Sequence, residues 1–341
     1  MNENKSDVII IGAGPCGLFA VFELGLLGLK SIVIDILDRP GGQCAELYPE
    51  KPIYDIPSRS KVTGRELTDS LMEQIKPFEP KMYFSQRADS LIKLSNGNWK
   101  IKTDLGIELE APIICIAGGG GSFTPKKPRI NDIDSFENKS LFYSVRKIEK
   151  FKGKNLIIAG GGDSALDWVL ALNAQVNSMH LIHRRSEFRA MNDTVDKVKL
   201  LEKQGKLNIH VGEIDSLNGG NGNLESVTIK NKLEDKNYKV DCDSMLAFYG
   251  LTMKLGPIAD WGINMDKNRI LVDTEKFQTS EKGIFCIGDM CSYPGKLNLI
   301  LSGFHEAALM AHGCFNIARP NEKLRFEYTT TSKNLQNKLV S

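Results

Sequence analysis

No CxxC pair occurs in this chain, although it holds seven cysteines, and their odd number speaks against both a secreted disulfide framework and a zinc site. The cysteines read instead as small buried hydrophobes. The five histidines lack metal-ligand spacing, and no GxSxG turn is present for nucleophilic catalysis. Apolar runs are short: Leu18 to Leu29 is broken by Glu23 and falls well below the roughly 20 residues that a bilayer span needs, so it reads as a core helix. The excess of one sign of charge is small as well. A net charge of +2 at pH 7 excludes the strong basic field of a nucleic-acid binder, while a slight basic excess suits an acidic protein partner. The first residues, Met1 to Asp7, are polar and lead into an apolar run without a cationic, apolar and cleavage-site order, so a cytoplasmic chain is expected. What remains is 341 residues, 41% hydrophobic and 25% charged, enough for two compact soluble domains.

Two glycine-rich fingerprints stand in those domains. The first begins with the apolar strand Val8 to Ile11 and continues Gly12-Ala13-Gly14-Pro15-Cys16-Gly17 into an apolar helix. Gly12 lets the turn close, Gly14 lets the backbone approach a pyrophosphate, and Gly17 lets helix pack on strand, while the helix N-terminus offers N–H groups to the anion. A second strand, Ser31 to Ile34, ends in Asp35, an acid placed to accept hydrogen bonds from ribose and to repel a 2′-phosphate. The second copy runs Asn155 to Ala159 and then Gly160-Gly161-Gly162-Asp163-Ser164-Ala165, with alanine as the third small residue. Its next strand, Met179 to Ile182, ends in His183-Arg184-Arg185, and His183 falls at the same spacing that Asp35 holds in the first copy. Guanidinium groups pair bidentately with phosphate, so this second site is expected to prefer NADP(H), with Arg189 beside it. The plainer alternative is a glycine turn with Arg184, Arg185 and Arg189 on a solvated face; recurrence of strand, turn and terminal residue at one spacing favours the dinucleotide reading.

Between the fingerprints lie a loop rich in Pro and Gly from Asp38 to Ser60, a helix-like segment around Glu66 to Ile75, and short alternating strands with a hairpin signal at Asn96-Gly97. That meander ends in an apolar strand from Ala111 to Gly118 that stops at small residues, where the chain is expected to leave the domain. The second copy follows a similar course through Gly219-Gly220-Asn221-Gly222 to the strand Met245 to Gly250, one architectural plan used twice. The tail starts no third fingerprint. Gly283 to Asp289 is a short strand ending in Gly-Asp, followed by a helix from about Leu297 to Ile317, which suits a return to the first domain. Asp289 is placed to hold sugar hydroxyls, or else only caps the next turn.

The order GxGxxG, Gly41-Gly42-Gln43, GGGDSA, HRR and IGD resembles the two-domain flavoprotein reductases of the thioredoxin reductase type over nearly the whole chain. The longer strings Leu47-Tyr48-Pro49-Glu50-Lys51, Gly161 to Trp168, His183-Arg184-Arg185, Gly295 to Ile300 and Ser302-Gly303-Phe304 are similar to the ferredoxin/flavodoxin–NADP reductases of type 2. The resemblance implies an α/β fold of two Rossmann-like domains: a discontinuous FAD-binding domain, 1–118 and 247–341, with a C-terminal extension over the flavin, and an NADP(H)-binding domain, 119–246. It implies FAD held by Gly12, Gly14, Gly17, Asp35, Gln43, Tyr48, Ala88, Phe123, Asp289, Tyr328 and Thr330, with Tyr48 stacked on one face of the ring. The family's C-terminal extension covers the other face with an aromatic ring, often histidine; here Tyr328 stands at that place, or is a surface residue of a polar tail. NADP(H) is expected on Gly160, Gly162, Asp163, Ser164, Ala165, His183, Arg184, Arg185 and Arg189. A homodimer and a ferredoxin or flavodoxin partner are also implied, with neither nucleic acid nor membrane.

The activity so implied is reversible hydride transfer between NADPH and FAD coupled to one-electron transfer with ferredoxin, and it assigns no side chain a catalytic role. A thioredoxin-type disulfide reductase lacks its cysteine pair here: the stretch Ser140 to Lys147 has none, and only Cys44 follows Gly42. Cys286 and Cys291 flank Gly288-Asp289 and are the remaining candidates. A diaphorase with another acceptor and a non-catalytic FAD/NADP redox sensor stay open on sequence grounds. Lys126, Lys127 and Arg129 are candidates for attracting an acidic partner, or form a solvated loop.

Overall fold

The computed structural model describes residues 4–231, 236–324, 329, 330, 332, 336 and 339. Its helices are α1 (Pro15–Leu26), α2 (Gly42–Leu47), α3 (Gly64–Ile75), α4 (Asp163–Leu172), α5 (Asn192–Lys203) and α6 (Ile300–Ala318). The chain divides into two compact units, one of Met1–Glu46, Pro52–Phe123 and Met253–Ser341, the other of Leu47–Lys51 and Thr124–Thr252.

Each unit is built on a five-stranded parallel sheet with its fingerprint strand in the middle. In the first unit the order is Ile284–Cys286, Ile113–Ile116, Val8–Ile11, Ser31–Ile34, Lys81–Tyr83. In the second it is Leu141–Phe142, Ser244–Ala247, Asn155–Ala159, Ser178–His183, Asn208–Val211. The central strands read as unbroken apolar runs because both of their faces are covered. Val8 and Ile10 pack with Leu18, Val21 and Leu24 of α1 and Met310 of α6, whereas Ile9 and Ile11 face the opposite layer with Trp99, Ile101 and Leu109. Leu156 and Ile158 likewise meet α4 residues Leu166 and Val169, while Ile157 and Ala159 meet Val227 and Ile229. The opposite layers are three-stranded antiparallel meanders, 88–111 in the first unit and 213–241 in the second. Hairpins fall where the turn residues expect them: Gly97 takes φ +85°, and Asn221 and Gly222 take +54° and +84°.

Helix limits depart from the sequence reading in physical detail. α1 begins at Pro15, where a missing N–H costs nothing, and ends before Gly28 at φ +72°, so Leu29 enters the core after the turn and not as the last helical residue. The stretch from Asp38 to Ser60 is not all loop, since α2 lies within it. α3 starts at a reciprocal cap, Glu66 N–H donating to Thr63 Oγ1 at 3.2 Å and Thr63 N–H to Glu66 Oε2 at 2.8 Å. The tail returns to the first unit: Ile284–Cys286 pairs with Ile114–Ile116, and Arg319 after α6 grips both carboxylate oxygens of Asp7 at 2.6 and 3.0 Å.

A polar relay crosses the second unit. His180 Nδ1 lies 3.0 Å from His210 Nε2, the rings stack at 5.2 Å, and His210 Nδ1 lies 3.1 Å from the Tyr238 hydroxyl. Such a chain needs neutral imidazoles, each donating one proton and accepting another. Burial, then the neighbouring His180, pushes His210 down from 6.5 to about 4. A depressed histidine favours the folded state above its ordinary value and loses that contribution as protons are forced on. The second unit is therefore expected to lose stability as pH falls from 6.5 to about 4. Urea unfolding of His210→Phe against pH should lack that part of the slope; an unchanged slope would show that the relay does not couple to folding.

Candidate dinucleotide sites

In the first unit the turn after Val8–Ile11 is tied to the neighbouring strand at two points. Gly12, at φ +111°, donates its N–H to Ile34 O at 2.8 Å, and Ala13 N–H donates to Asp35 Oδ2 at 2.6 Å. Asp35 Oδ1 accepts Leu37 N–H at 2.8 Å, so the buried acid organises the loop from its own strand end. Burial raises its pKa, and the two backbone bonds pull it back only in part. Each oxygen keeps a second lone-pair direction for a sugar hydroxyl.

The glycines of that turn meet a second bare backbone. Gly41 N–H donates to Ala13 O at 2.8 Å, and a Cβ added to Gly42, at φ +54°, would stand 3.0 Å from Gly14 Cα. Gly14 caps α1 without a side-chain bond and no acid lies in the first turn, so the helix presents its N–H groups beside half-buried Gly14 and Gly42. Gln43 reaches the same region, its Nε2 3.6 Å from where a Gly119 Cβ would be. Ala88 is buried at the start of its strand, Phe123 is half-buried, and Asp289 is exposed just past Ile284–Cys286. Thr330 is exposed, with its carbonyl accepting Gln336 Nε2 at 2.6 Å. Tyr328 lies outside the described residues. Tyr48 belongs to the short piece that packs with the second unit, where Lys51 pairs with Asp167 and Glu50 Oε2 accepts Ile148 N–H at 2.7 Å. Bare glycine backbone, an uncapped helix start and acceptor carboxylates at two strand ends fit a dinucleotide with free ribose hydroxyls.

The second unit repeats the turn and changes what secures it. Gly160 N–H donates to Ile182 O at 3.0 Å, the counterpart of Gly12 and Ile34. Where Asp35 stands in the first unit, the His183 ring lies flat against Gly161, in space that any Cβ there would occupy, and stacks on Phe188 at 5.6 Å. Arg189 N–H donates to Gly161 O at 2.7 Å and Asp163 Oδ1 accepts Met191 N–H at 3.0 Å, folding the basic turn back onto the glycine loop. Ala165 is buried in the role of Gly17, and Ser164 is exposed at the start of α4, where Gly162 caps without a side chain. Arg184, Arg185 and Arg189 are exposed and form no ion pair among the described residues. Three unpaired guanidinium groups beside an open helix N-terminus fit a dinucleotide that carries an added phosphate.

Sequence reasoning missed one cation there. A cavity of about 350 Å³ is lined by Arg184, Arg185, Gly212, Glu213 and Lys230. Lys230 comes from the strand Asn223–Asn231 of the meander, so nothing near the fingerprint signals it. Lys127 of the proposed docking loop is already engaged, with Asp134 at 3.0 Å and Glu137 at 2.7 Å. All seven cysteines are free. Burial first, then Glu306, pushes Cys291 up to about 12, and burial also raises Cys286, so neither supplies a thiolate for a dithiol relay. Among the described residues no cluster could hold a metal, and no helix is long and apolar enough to cross a membrane.

The Pyridine nucleotide-disulphide oxidoreductase family profile matches residues 6–310. A protein of Parvibaculum lavamentivorans named Ferredoxin–NADP reductase is 59% identical over 334 residues, 98% of this chain and 97% of its own. One of the same name from Mesorhizobium japonicum is 55% identical over 335 residues, again 98% and 97%. Among solved structures, thioredoxin reductase from T. acidophilum superposes with a TM-score of 0.76 at 22% identity, covering 92% of this chain and 99% of that one. The Lactococcus lactis thioredoxin reductase gives 0.75 at 22%, with the same coverage. At that identity the structures show a common fold.

Burial against Gly161 and Phe188, and secondarily the three guanidiniums, lower the pKa of His183, which a backbone bond near Glu187 opposes. Replacing Arg184 and Arg185 by alanine is expected to move the His183 titration upward when followed by NMR. A midpoint that stays in place would remove those guanidiniums from the neighbourhood of the ring.

Proposed function

The chain belongs to the pyridine nucleotide-disulphide oxidoreductase family and, within it, to the ferredoxin–NADP reductases, and from that premise we propose an FAD-dependent enzyme that passes electrons between NADP(H) and ferredoxin. The observation that carries the reading is the pair of like-built glycine turns with unlike groups beyond them, Asp35 in one and Arg184 with Arg185 in the other. FAD, when bound, supplies hydride acceptance and one-electron release, the two things that no side chain here offers.

The unit carrying Gly12 is assigned to FAD and the unit carrying Gly160 to NADP(H). The FAD-binding domain proposed from the sequence, 1–118 and 247–341, and the NADP(H)-binding domain, 119–246, differ from the compact units at the connecting strands and at residues 47–51. Gly12, Gly14 and Gly17 admit the pyrophosphate to the start of α1, Asp35 accepts from the adenosine ribose, and Asp289 holds further sugar hydroxyls. Gln43, Ala88, Phe123 and Thr330 border the same cofactor, with Tyr48 and Tyr328 proposed for the ring faces. In the second unit Gly160, Gly162, Asp163, Ser164 and Ala165 shape the pyrophosphate turn. His183 sets the turn's position, and Arg184, Arg185 and Arg189 bind the 2′-phosphate, joined by Lys230. A homodimer and a cytoplasmic setting complete the proposal. Ferredoxin, named in the relatives, is its partner, and flavodoxin is the alternative acceptor to be compared with it.

The test begins with a visible spectrum of the purified protein, expected to show bound flavin that NADPH bleaches anaerobically. Cytochrome c reduction should then depend on added ferredoxin. Bleaching without ferredoxin-dependent turnover would make the protein a diaphorase or a sensor. Arg184→Ala with Arg185→Ala should raise KM for NADPH about tenfold or more while leaving NADH unaffected, because charge-assisted phosphate bonds are lost. Lys230→Ala, exposed and single, should raise it by about threefold. Equal losses with both nucleotides would refute the phosphate clamp.

A further inference from the structure

Glu306, in the second turn of α6, is fully buried, and its carboxylate gathers three donors from the stretch 288–296. Oε2 accepts Gly288 N–H at 2.6 Å, while the single Cys291 thiol proton has Gly288 O at 3.2 Å as its nearer acceptor and Oε2 at 3.5 Å as the farther one. Oε1 accepts the Tyr293 hydroxyl at 2.8 Å and pairs with the Lys296 ammonium, whose side chain is 4% exposed. Burying two charges is costly even when they pair, and an apolar filling of the same space would often be at least as stable. The pair is therefore better explained by what it holds in place.

It holds the turn that carries Asp289. Gly288 sits at φ +73° with its N–H on Glu306, and the next residue presents an exposed carboxylate. The back of this turn is wedged against the first glycine loop. Cys16, in the first turn of α1, fills the slot left by the missing side chains of Gly288 and Gly303; a Cβ on Gly288 would stand 3.3 Å from Cys16 Sγ, and one on Gly303 would overlap it. Asp289, Glu306 and Lys296 all act electrostatically on the Cys16 thiol, so the three charges share one small region with the start of α1. Only a carboxylate accepts from Gly288 N–H, the Tyr293 hydroxyl and the Lys296 ammonium together. Glutamine at 306 would turn its NH₂ either toward Gly288 N–H or toward the Lys296 ammonium.

We propose that Glu306, braced by Lys296, is a positioning residue for FAD that acts through the Gly288–Asp289 turn and fixes where the Asp289 carboxylate stands relative to the Gly12–Gly17 loop. This rests on the assignment of FAD to the first unit.

Apoprotein is titrated with FAD by flavin fluorescence in four forms: wild type, Asp289→Asn, Glu306→Gln and the double variant. Glu306→Gln is expected to weaken FAD binding about tenfold in the wild-type background, as for a lost charge-assisted bond, and by no more than about twofold once Asp289 is already asparagine. Flavin-region circular dichroism of the reconstituted Glu306→Gln protein should also change shape. Unaltered affinity in Glu306→Gln, or an equal loss in both backgrounds, overturns the proposal. Wild-type apoprotein that takes up no FAD would instead overturn the cofactor assignment, and Asp289→Asn that binds as wild type would remove the route through Asp289. If Glu306→Gln does not fold by far-ultraviolet circular dichroism, Lys296→Met in the two Asp289 backgrounds decides by the same coupling criterion.

Discussion

A buried carboxylate at the end of a parallel strand governs the first unit. Asp35 is 8% exposed and spends one oxygen on Ala13 N–H, across the mouth of the glycine turn, and the other on Leu37 N–H in its own chain. A shift of the turn would take Ala13 N–H away from Oδ2 and leave that oxygen without its partner in a poorly solvated place, where a lost bond to a charged group is costly. Gly12 and Gly17 allow the close approach this demands, and α1 then starts with its first N–H groups uncapped by a side chain. The same carboxylate that shapes the loop is the one proposed to accept from an unphosphorylated ribose.

The second unit solves the same backbone problem without the acid. An imidazole laid on Gly161 fills the place of the carboxylate, and the main chain of Arg189 returns to bond with the loop. This frees the charge at the strand end to be positive. Two copies of one architecture can then differ in nucleotide preference through the few residues that stabilise the turn, with the five-stranded parallel sheet and the three-stranded meander present in both.

Much of this was legible in the residue order. Val8 to Ile11 and Asn155 to Ala159 announce parallel strands by unbroken apolar runs, and the fingerprint spacing marks the turns and the residues beyond them. The α/β architecture, the return of residues 284–286 and the hairpins follow from such local signals. Less legible was whatever depends on separate segments meeting. α2 lies inside a stretch whose glycines and prolines read as loop, because its six residues are too few to show a period. Lys230 reaches the Arg184 cavity from a meander strand, and Glu306 meets Gly288 only because α6 folds back on the tail strand. His180 and His210 lie far apart in sequence and become neighbours through parallel pairing. The spacing of histidines in a sequence cannot show that.

The interrupted layout of the first unit has a consequence for the order in which a growing chain becomes native. All five strands of the second unit's parallel sheet lie between residues 141 and 247 and can assemble once that stretch has left the ribosome. The earlier-made strands of the first unit must wait, with one edge of Ile113–Ile116 unpaired and the seat of Met310 and Phe315 unfilled, until synthesis reaches the tail. The half that starts first therefore finishes last, and during that interval it is the part most exposed to chaperones and to unwanted strand pairing.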